Sequence, residues 1–286
     1  MELWNKQTEV EFFSKSKAFS NPEKLFYRSD NGRLFAFWPK GYDGKKTTLQ
    51  SRNALIGSFT EKWTADILKE FASKKGYHIV QSVVCEEFGL TNRSPADLAI
   101  CKSLSSIQRP ENIKAIFEIK MSVVWNWEYK NNELICLGDF TTHSGTPGIL
   151  RSDSMLKAIG KSINIRVSDY RASKIPIIIL GNTPITDMYK DKVDHLKQSG
   201  IVQGFWSLNP DPRDGKITLD KTAGEGFSKI ESYEILMEKL EKLFSEECEF
   251  FSSMKSHTEL GRLIEIANRE TSYDAKAKKF LELIRK

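Results

Sequence analysis

The first regular pattern along the chain is helical. Between residues 56 and 73, apolar side chains recur every four positions, at Phe59, Trp63, Ile67 and Phe71. This spacing places them on one face of an α-helix. The basic residues and the glycine of "KKG" at 74–76 are typical of a helix end. We therefore predict an amphipathic helix over residues 56–73.

Apolar stretches that predict β-strands follow this helix. They are "YHIVQSVVCEEFG", "PADLAICKS" and "NIKAIFEIKMSVVWNWEY", and the last predicts one long strand. "SDSMLKAIGKSINIRVSDY" then predicts a helix with Leu156, Ile159, Ile163 and Val167 as its inward stripe. "SKIPIIILGN" is a continuous apolar run, which is typical of a fully buried strand. The helix "DMYKDKVDHLKQSG" and the strand "IVQGFWSLNP" complete a pattern that predicts an α/β fold.

The two ends of the chain differ from this central pattern. Residues 1–55 hold many aromatic residues with basic residues interleaved, and turn residues interrupt them. They predict an N-terminal arm or subdomain packed on the main body. Residues 211–286 predict helices, which form either a dimerisation element or one more layer on the same core. Residues 56–210 are predicted to form the core domain.

Composition narrows the class of protein only slightly. The chain has 286 residues, of which 40% are hydrophobic and 28% charged, as in ordinary globular proteins. Its net charge of +5 permits an anionic partner without requiring one. No stretch approaches the roughly 18 apolar residues of a membrane span, and the N-terminus does not resemble a signal peptide. We therefore expect a cytoplasmic protein with no membrane association.

The four cysteines show no CxxC spacing. Paired spacings of that kind are the usual sign of a metal or disulfide framework. We therefore expect these cysteines to be reduced thiols in the core.

Two charges interrupt the apolar run "AIFEIKMSV" at residues 115–123. Burying either charge costs several kcal/mol unless it is paired or bound. Because side chains alternate along a strand, Glu118 and Lys120 share one face, about 7 Å apart. If the preceding strand forms a hairpin with this one, Asp97 lies beside them. The sequence thus predicts two carboxylates and a lysine at one edge of a sheet.

The combination of "SPAD" (94–97) and "EIK" (118–120) resembles the PD-(D/E)XK nucleases, a superfamily that includes many restriction endonucleases. The family core runs helix, strand, strand, strand, helix, strand, and residues 56–182 predict that order. The first helix of the family often carries an inner glutamate, which Glu61 matches. "PAD" departs from the adjacent Pro-Asp of the family motif. The resemblance implies a restriction-endonuclease-like core, with a mixed central sheet flanked by helices.

The resemblance also implies a Mg²⁺-dependent endodeoxyribonuclease that acts on double-stranded DNA, with Asp97, Glu118, Lys120 and Glu61 as its catalytic residues. Carboxylate oxygens of Asp97 and Glu118 suit Mg²⁺, and the carbonyl of Ile119 is the natural further ligand. Lys120 would orient or deprotonate the attacking water, or neutralise the pentavalent phosphate. A type II restriction endonuclease needs two active sites to cut a symmetric sequence, so we expect a homodimer.

Two basic segments are candidates for DNA contact. The first is "ILRSDSMLK" at 149–157, which opens the helix after the predicted active-site strands. Its candidate contacts are Arg151, Ser154 and Lys157. The open alternative is that this segment only caps the helix through Ser152 or Asp153.

The second basic segment surrounds "GYDGKKT" at 41–47. Its candidate phosphate contacts are Lys45, Lys46 and Arg52, which would make DNA affinity salt-dependent. The segment lacks the Gly-x₄-Gly-Lys spacing of a phosphate loop, so we expect no nucleotide cofactor.

Three alternatives to a restriction endonuclease remain open. The chain could be a repair, recombination or mobile-element nuclease of the same fold, although residues 153–170 lack the glutamine of the Gln-x₃-Tyr element found in RecB-like members. It could instead be a non-catalytic DNA-binding protein on a degenerate nuclease scaffold. The plainest alternative is an ordinary Glu–Lys pair on a partly exposed strand, with Asp97 in a turn.

Overall fold

Both helices and strands build the fold, and they alternate over residues 152–207. The computed structural model describes residues 1–46, 49–245, 248–251 and 255–285. The helices are α1 (Lys6–Lys17), α2 (Pro22–Leu25), α3 (Gln50–Lys74), α4 (Ser152–Ser168), α5 (Lys190–Gln198), α6 (Tyr233–Ser245), α7 (His257–Ala267) and α8 (Tyr273–Ile284). The strands are β1 (Tyr27–Arg28), β2 (Leu34–Phe35), β3 (His78–Val83), β4 (Ala96–Cys101), β5 (Ile113–Lys120), β6 (Asn126–Lys130), β7 (Glu133–Gly138), β8 (Ile177–Gly181), β9 (Gly204–Ser207) and β10 (Phe227–Lys229). Within the described ranges, no helix is both long and apolar enough to cross a membrane.

The central sheet is mixed, with strand order β10-β9-β8-β5-β4-β3. Strands β3, β4 and β5 are antiparallel neighbours, whereas β5, β8, β9 and β10 run parallel. Parallel neighbours need a crossover connection, and α4 and α5 lie in two of these crossovers. The carboxyl ends of β5, β8 and β9 therefore meet at one edge of the sheet.

Apolar layers cover both faces of this sheet. On one face, α3, α6 and the N-terminal aromatic residues pack on Leu98, Phe117 and Leu180. On the other face, α4 and α5 pack on Ile116 and Ile179. The chain is therefore an α/β protein with helices on both sides of a mixed sheet, as the alternating pattern predicted.

The predicted long third strand is wrong, because it divides into strands of two different sheets. Strand β5 ends at Lys120, and after residues 121–125 the chain enters β6. Strand β6 belongs to a second, antiparallel sheet of order β1-β2-β6-β7. The N-terminal region supplies β1 and β2 of this sheet, so it is built into the fold.

The predicted domain boundaries cut through elements of this fold. Helix α3 begins at Gln50, inside the predicted N-terminal region of residues 1–55. Strand β10 pairs with β9 in the central sheet, although it lies beyond residue 210. Leu236 and Leu240 of α6 are buried in the same core. Both ends of the chain thus contribute to the central structure.

The predicted inward stripe of α4 is also wrong. Leu156 and Val167 are 62% and 67% exposed. The buried side chains of this helix include Met155, Ala158 and Ser162 instead. Ala158 and Ser162 are small, so this face can lie close to the sheet.

In the structure, none of the four cysteines forms a disulfide with another of the four. Cys85 and Cys101 are buried, and Cys136 is half-buried. Cys248 is exposed, so its predicted place in the core is wrong.

A buried carboxylate fixes the N-terminal helix to the segment that leaves the central sheet. Glu9 of α1 is fully buried. Its oxygens accept hydrogen bonds from the backbone N–H groups of Val124 (2.5 Å) and Trp125 (3.3 Å). They also accept from the indole Nε1 of Trp4 (3.2 Å) and Trp127 (2.8 Å). Burial raises the pKa of Glu9 to about 8, while these donors act in the opposite direction.

This pKa predicts a pH-dependent stability. The pKa of Glu9 is higher in the folded state than in the unfolded chain, so folding favours its protonated form. The stabilisation by protonated Glu9 is complete at pH values below the pKa of Glu9 in the unfolded chain, and it is lost as pH rises toward 8. Relative to Glu9→Gln, the free energy of unfolding of the wild type should fall between pH 5 and 8, by up to about 1.4 kcal/mol per pH unit. Urea denaturation of both proteins across this range measures it, and a constant difference would contradict the assignment.

Candidate active site

Strand pairing brings the predicted acidic residues together. Leu98 of β4 pairs with Phe117 of β5, so the preceding Asp97 faces Glu118 across the strand pair. Asp97 Oδ2 accepts a hydrogen bond from the backbone N–H of Ile119 at 2.7 Å. This bond anchors the Asp97 carboxylate directly beside the end of β5.

The three oxygen ligands predicted for a metal converge on one nitrogen atom. Lys120 Nζ lies 2.6 Å from Glu118 Oε1 and 3.4 Å from Asp97 Oδ2. It also donates to the carbonyl oxygen of Ile119 at 3.1 Å. Lys120 thus draws together the three oxygen atoms that were predicted to bind a metal.

A second lysine, not among the predicted residues, lies at this site. Lys161 of α4 places its Nζ 3.1 Å from Asp97 Oδ1 and 2.6 Å from Glu118 Oε2. Glu118 Oε2 is buried, and within the described residues no donor is aligned to give it a hydrogen bond. The short contact with Lys161 is therefore an ionic one. Two carboxylates and two ammonium groups form a charge-balanced cluster at the sheet edge.

The wrong stripe on α4 explains why Lys161 was missed. With Leu156 and Val167 facing inward, Lys161 would not lie against the sheet. Ala158 and Ser162 face inward instead, which brings their neighbour Lys161 to the sheet edge. Its spacing of four residues from Lys157 was the signal in the sequence, because residues at that spacing share a helix face.

Burial and neighbouring charges shift the ionisation of the cluster. Burial raises the pKa of Glu118, Asp97 adds to the effect, and Lys120 and Lys161 oppose it. Burial lowers the pKa of Lys120, but Glu118 and Asp97 outweigh it, so this pKa is raised. Lys120 therefore carries a proton at neutral pH, which suits neutralising a phosphate better than deprotonating water.

Glu61, predicted to lie on the inner side of the core helix, is half-buried on α3 at the rim of the cluster. Burial raises its pKa, and the charge of Asp97 adds to this effect, whereas Lys120 and Lys161 oppose it. In the ranges that the structure describes, Glu61 has no hydrogen bond or ion pair with the cluster. Glu61 therefore interacts with the cluster through longer-range electrostatics.

Two further residues hold the backbone around Lys120. Asn182, which directly follows β8, is fully buried. Its Oδ1 accepts from Ser122 N–H (3.1 Å), and its Nδ2 donates to Ser122 O (2.7 Å). Gly148 has a φ of +56°, and a Cβ there would lie 3.2 Å from Lys120 O. Asn182 was not among the predicted residues, and the sequence signal for it was a polar residue directly after an apolar parallel strand.

The candidate DNA contacts at the start of α4 lie on the surface. Arg151 and Lys157 are largely exposed, and both form ion pairs with Asp153. Ser154 is half-buried. The alternative of capping by Ser152 or Asp153 is wrong, because the N-cap position is Arg151 and no side chain in the described part of the chain caps the helix.

The remaining basic candidates are not part of this cluster. Arg52 is only 4% exposed, and its guanidinium donates to the carbonyls of Leu25 and Ala36. The prediction that Arg52 contacts a DNA phosphate is therefore wrong, because backbone oxygens of the N-terminal region enclose it. Lys45 and Lys46 are exposed on the segment before α3.

The donor set around Lys120 fits a hard divalent cation. Within the described residues, no group of three or more His, Cys, Asp or Glu side chains forms a complete metal site. Mg²⁺ does not require one, because it commonly binds through one or two carboxylates and keeps several water ligands. Asp97, Glu118 and the Ile119 carbonyl meet that requirement.

No family model, curated protein or solved structure matches this chain. The arrangement of Asp97, Glu118, Lys120 and Lys161 is therefore the basis for inferring a function.

Gly148 provides a test of how tightly this site is built. Gly148→Ala would place a Cβ 2.9 Å from Thr183 Oγ1 and force a positive φ on alanine. The free energy of unfolding should fall by about 1–3 kcal/mol, as for other strained backbone positions. Urea denaturation measures the change.

Gly160→Ala is the matched control. A Cβ at Gly160, inside α4, meets nothing within 4 Å. Alanine favours the helix by up to about 1 kcal/mol, so this variant should be as stable as the wild type or more so. Equal effects of the two substitutions would show that the contacts of Gly148 do not constrain the site.

Proposed function

We propose that this protein is a Mg²⁺-dependent endodeoxyribonuclease that cuts double-stranded DNA. The observation that carries the proposal is the convergence of Asp97, Glu118 and the Ile119 carbonyl on Lys120 Nζ. The order α3-β3-β4-β5-α4-β8, with β6 and β7 of the second sheet inserted between β5 and α4, supports a restriction-endonuclease-like core. Within this class we favour a homodimeric type II restriction endonuclease, since cutting both strands of a symmetric site needs two active sites.

Each residue of the cluster has a defined part in this chemistry. Asp97, Glu118 and the Ile119 carbonyl would hold the metal. When bound, it polarises the scissile phosphate and makes its bound water more acidic. Lys120 supplies positive charge to the pentavalent phosphate, which suits its protonated state.

Helix α4 offers a path for the DNA backbone. Arg151, at the N-cap of α4, and Lys157, inside α4, are exposed near the position from which Lys161 of the same helix reaches the cluster. Lys157 precedes Lys161 by about one helical turn, so both lie on one side of the helix. A phosphate strand along this side would be led toward Asp97 and Glu118.

The balanced charges of the cluster favour a second candidate as well. Two carboxylates already paired with two ammonium groups need no further ion for their stability. The second candidate is therefore a non-catalytic DNA-binding protein on a nuclease scaffold. It would bind DNA in Ca²⁺ and leave it intact in Mg²⁺.

Removing a member of the cluster should abolish DNA cleavage. Asp97→Ala removes a metal ligand, and Lys120→Ala removes charge from the reacting phosphate. Each should lower the rate of supercoiled-plasmid cleavage in Mg²⁺ by about 10²-fold or more. The assay also includes linear and branched substrates, which separate a restriction enzyme from a repair or recombination nuclease.

Lys69→Ala is the control for these substitutions. Lys69 is exposed on α3, about 12 Å along the helix from Glu61. This variant should cleave at the wild-type rate. Undiminished cleavage by the Asp97 and Lys120 variants would reject the nuclease assignment.

Basic residues of α4 should govern the salt dependence of DNA binding. Arg151→Ala and Lys157→Ala each remove one phosphate contact in the proposed complex. Each should reduce the slope of log K against log salt concentration by about 0.9. Fluorescence anisotropy with a labelled duplex in Ca²⁺ measures the slope.

Lys69→Ala again serves as the control for net charge, and its slope should equal that of the wild type. If all three variants change the slope equally, DNA does not follow α4.

A further inference from the structure

Lys161 bridges the two carboxylates from a separate element. Its ammonium contacts Asp97 Oδ1 at 3.1 Å and Glu118 Oε2 at 2.6 Å. Its side chain is only 16% exposed. Among the described residues, its ion pairs are with these two carboxylates alone. Lys161 thus neutralises, through their second oxygens, the same two carboxylates that would hold a metal ion.

The charge balance makes the ion pairs of Lys161 incompatible with a metal ion bound to the same carboxylates. Asp97 and Glu118 carry two negative charges, and Lys120 and Lys161 carry two positive ones. A divalent cation among these oxygens would face two ammonium groups at short range in a partly buried site, where repulsion is strong. One ammonium must therefore move away.

Lys161 is the lysine better placed to leave. Lys120 follows Glu118 on the same strand, and it donates to the Ile119 carbonyl at 3.1 Å as well as contacting both carboxylates. Lys161 belongs to α4, and its long side chain can swing away from the carboxylates, along the side of the helix that it shares with Lys157. There it would meet the DNA backbone in the proposed complex.

We propose that Lys161 is a built-in counter-ion that competes with metal for Asp97 and Glu118, and that a DNA phosphate takes it over when metal binds. The takeover of Lys161 by a DNA phosphate rests on the proposed function, whereas its competition with metal does not. Metal and DNA then strengthen each other's binding, because coupling between two ligands is reciprocal. The chain would hold metal weakly until its substrate arrives.

The first test measures metal binding to the full-length protein without DNA. Free Mn²⁺ is counted by electron paramagnetic resonance for the wild type, Lys161→Gln and Lys161→Arg. Lys161→Gln should bind Mn²⁺ at least tenfold more tightly than the wild type, about 1.4 kcal/mol. Lys161→Arg keeps the positive charge and should stay close to the wild type.

Lys69→Gln is the control, since Lys69 is exposed on α3 and belongs neither to the cluster nor to the proposed DNA path. Its Mn²⁺ affinity should not change. Equal or weaker Mn²⁺ binding by Lys161→Gln than by the wild type would overturn the competition.

A measurement on the wild type covers the case in which Lys161→Gln does not fold. Lysine side-chain NMR, with the Lys161 signal assigned through Lys161→Arg, follows its ε-carbon during Mg²⁺ addition. The signal should move toward that of a solvent-exposed lysine. An unchanged signal at Mg²⁺ saturation would reject displacement.

The second test addresses the takeover by DNA. Duplex affinity is measured by fluorescence anisotropy with Ca²⁺ and with chelator, for the wild type and Lys161→Gln. Ca²⁺ should strengthen DNA binding at least tenfold in the wild type and much less in Lys161→Gln. If the metal test succeeds and this difference is absent, the competition stands and the takeover by DNA is wrong.

Discussion

The repulsion between Asp97 and Glu118 is the constraint that the surrounding structure has to satisfy. Two ionised carboxylates side by side at a partly buried sheet edge repel each other strongly unless positive charge lies between them. Lys120 supplies that charge from β5, and Lys161 supplies it from α4. The cluster therefore requires both the correct pairing of β4 with β5 and the correct position of α4 against the sheet. An error in either would leave a buried charge without a partner.

The part of this cluster that sequence could predict depends on local rules. Side chains alternate along a strand, so Glu118 and Lys120 had to share a face. The hairpin between β4 and β5 then brought Asp97 to Glu118, and the hydrogen bond from Ile119 N–H to Asp97 holds it there. The alternation of side chains and the hairpin connection were sufficient to predict this group, because its residues belong to neighbouring strands.

The parts that sequence could not predict depend on contacts between distant elements. Helix α4 carries apolar residues on more than one side. The side with the small residues Ala158 and Ser162 is buried, because it can pack closely on the sheet. That choice also brings Lys161 to the cluster. Arg52 has the charge of a surface residue, but carbonyls of Leu25 and Ala36 surround it. Neither the buried side of α4 nor the burial of Arg52 can be read from the apolar periodicity or from composition.

The buried carboxylate of Glu9 has a consequence for the order of folding. Its backbone donor at Val124 lies 115 residues away, and its indole donor at Trp127 lies 118 residues away. During synthesis, α1 is made long before these donors exist, and closing so long a loop carries an entropic cost. Contacts of such long range generally form slowly. We therefore expect the segment directly after Lys120 to be among the last parts of the chain to become ordered, so that the edge carrying Asp97 and Glu118 matures late.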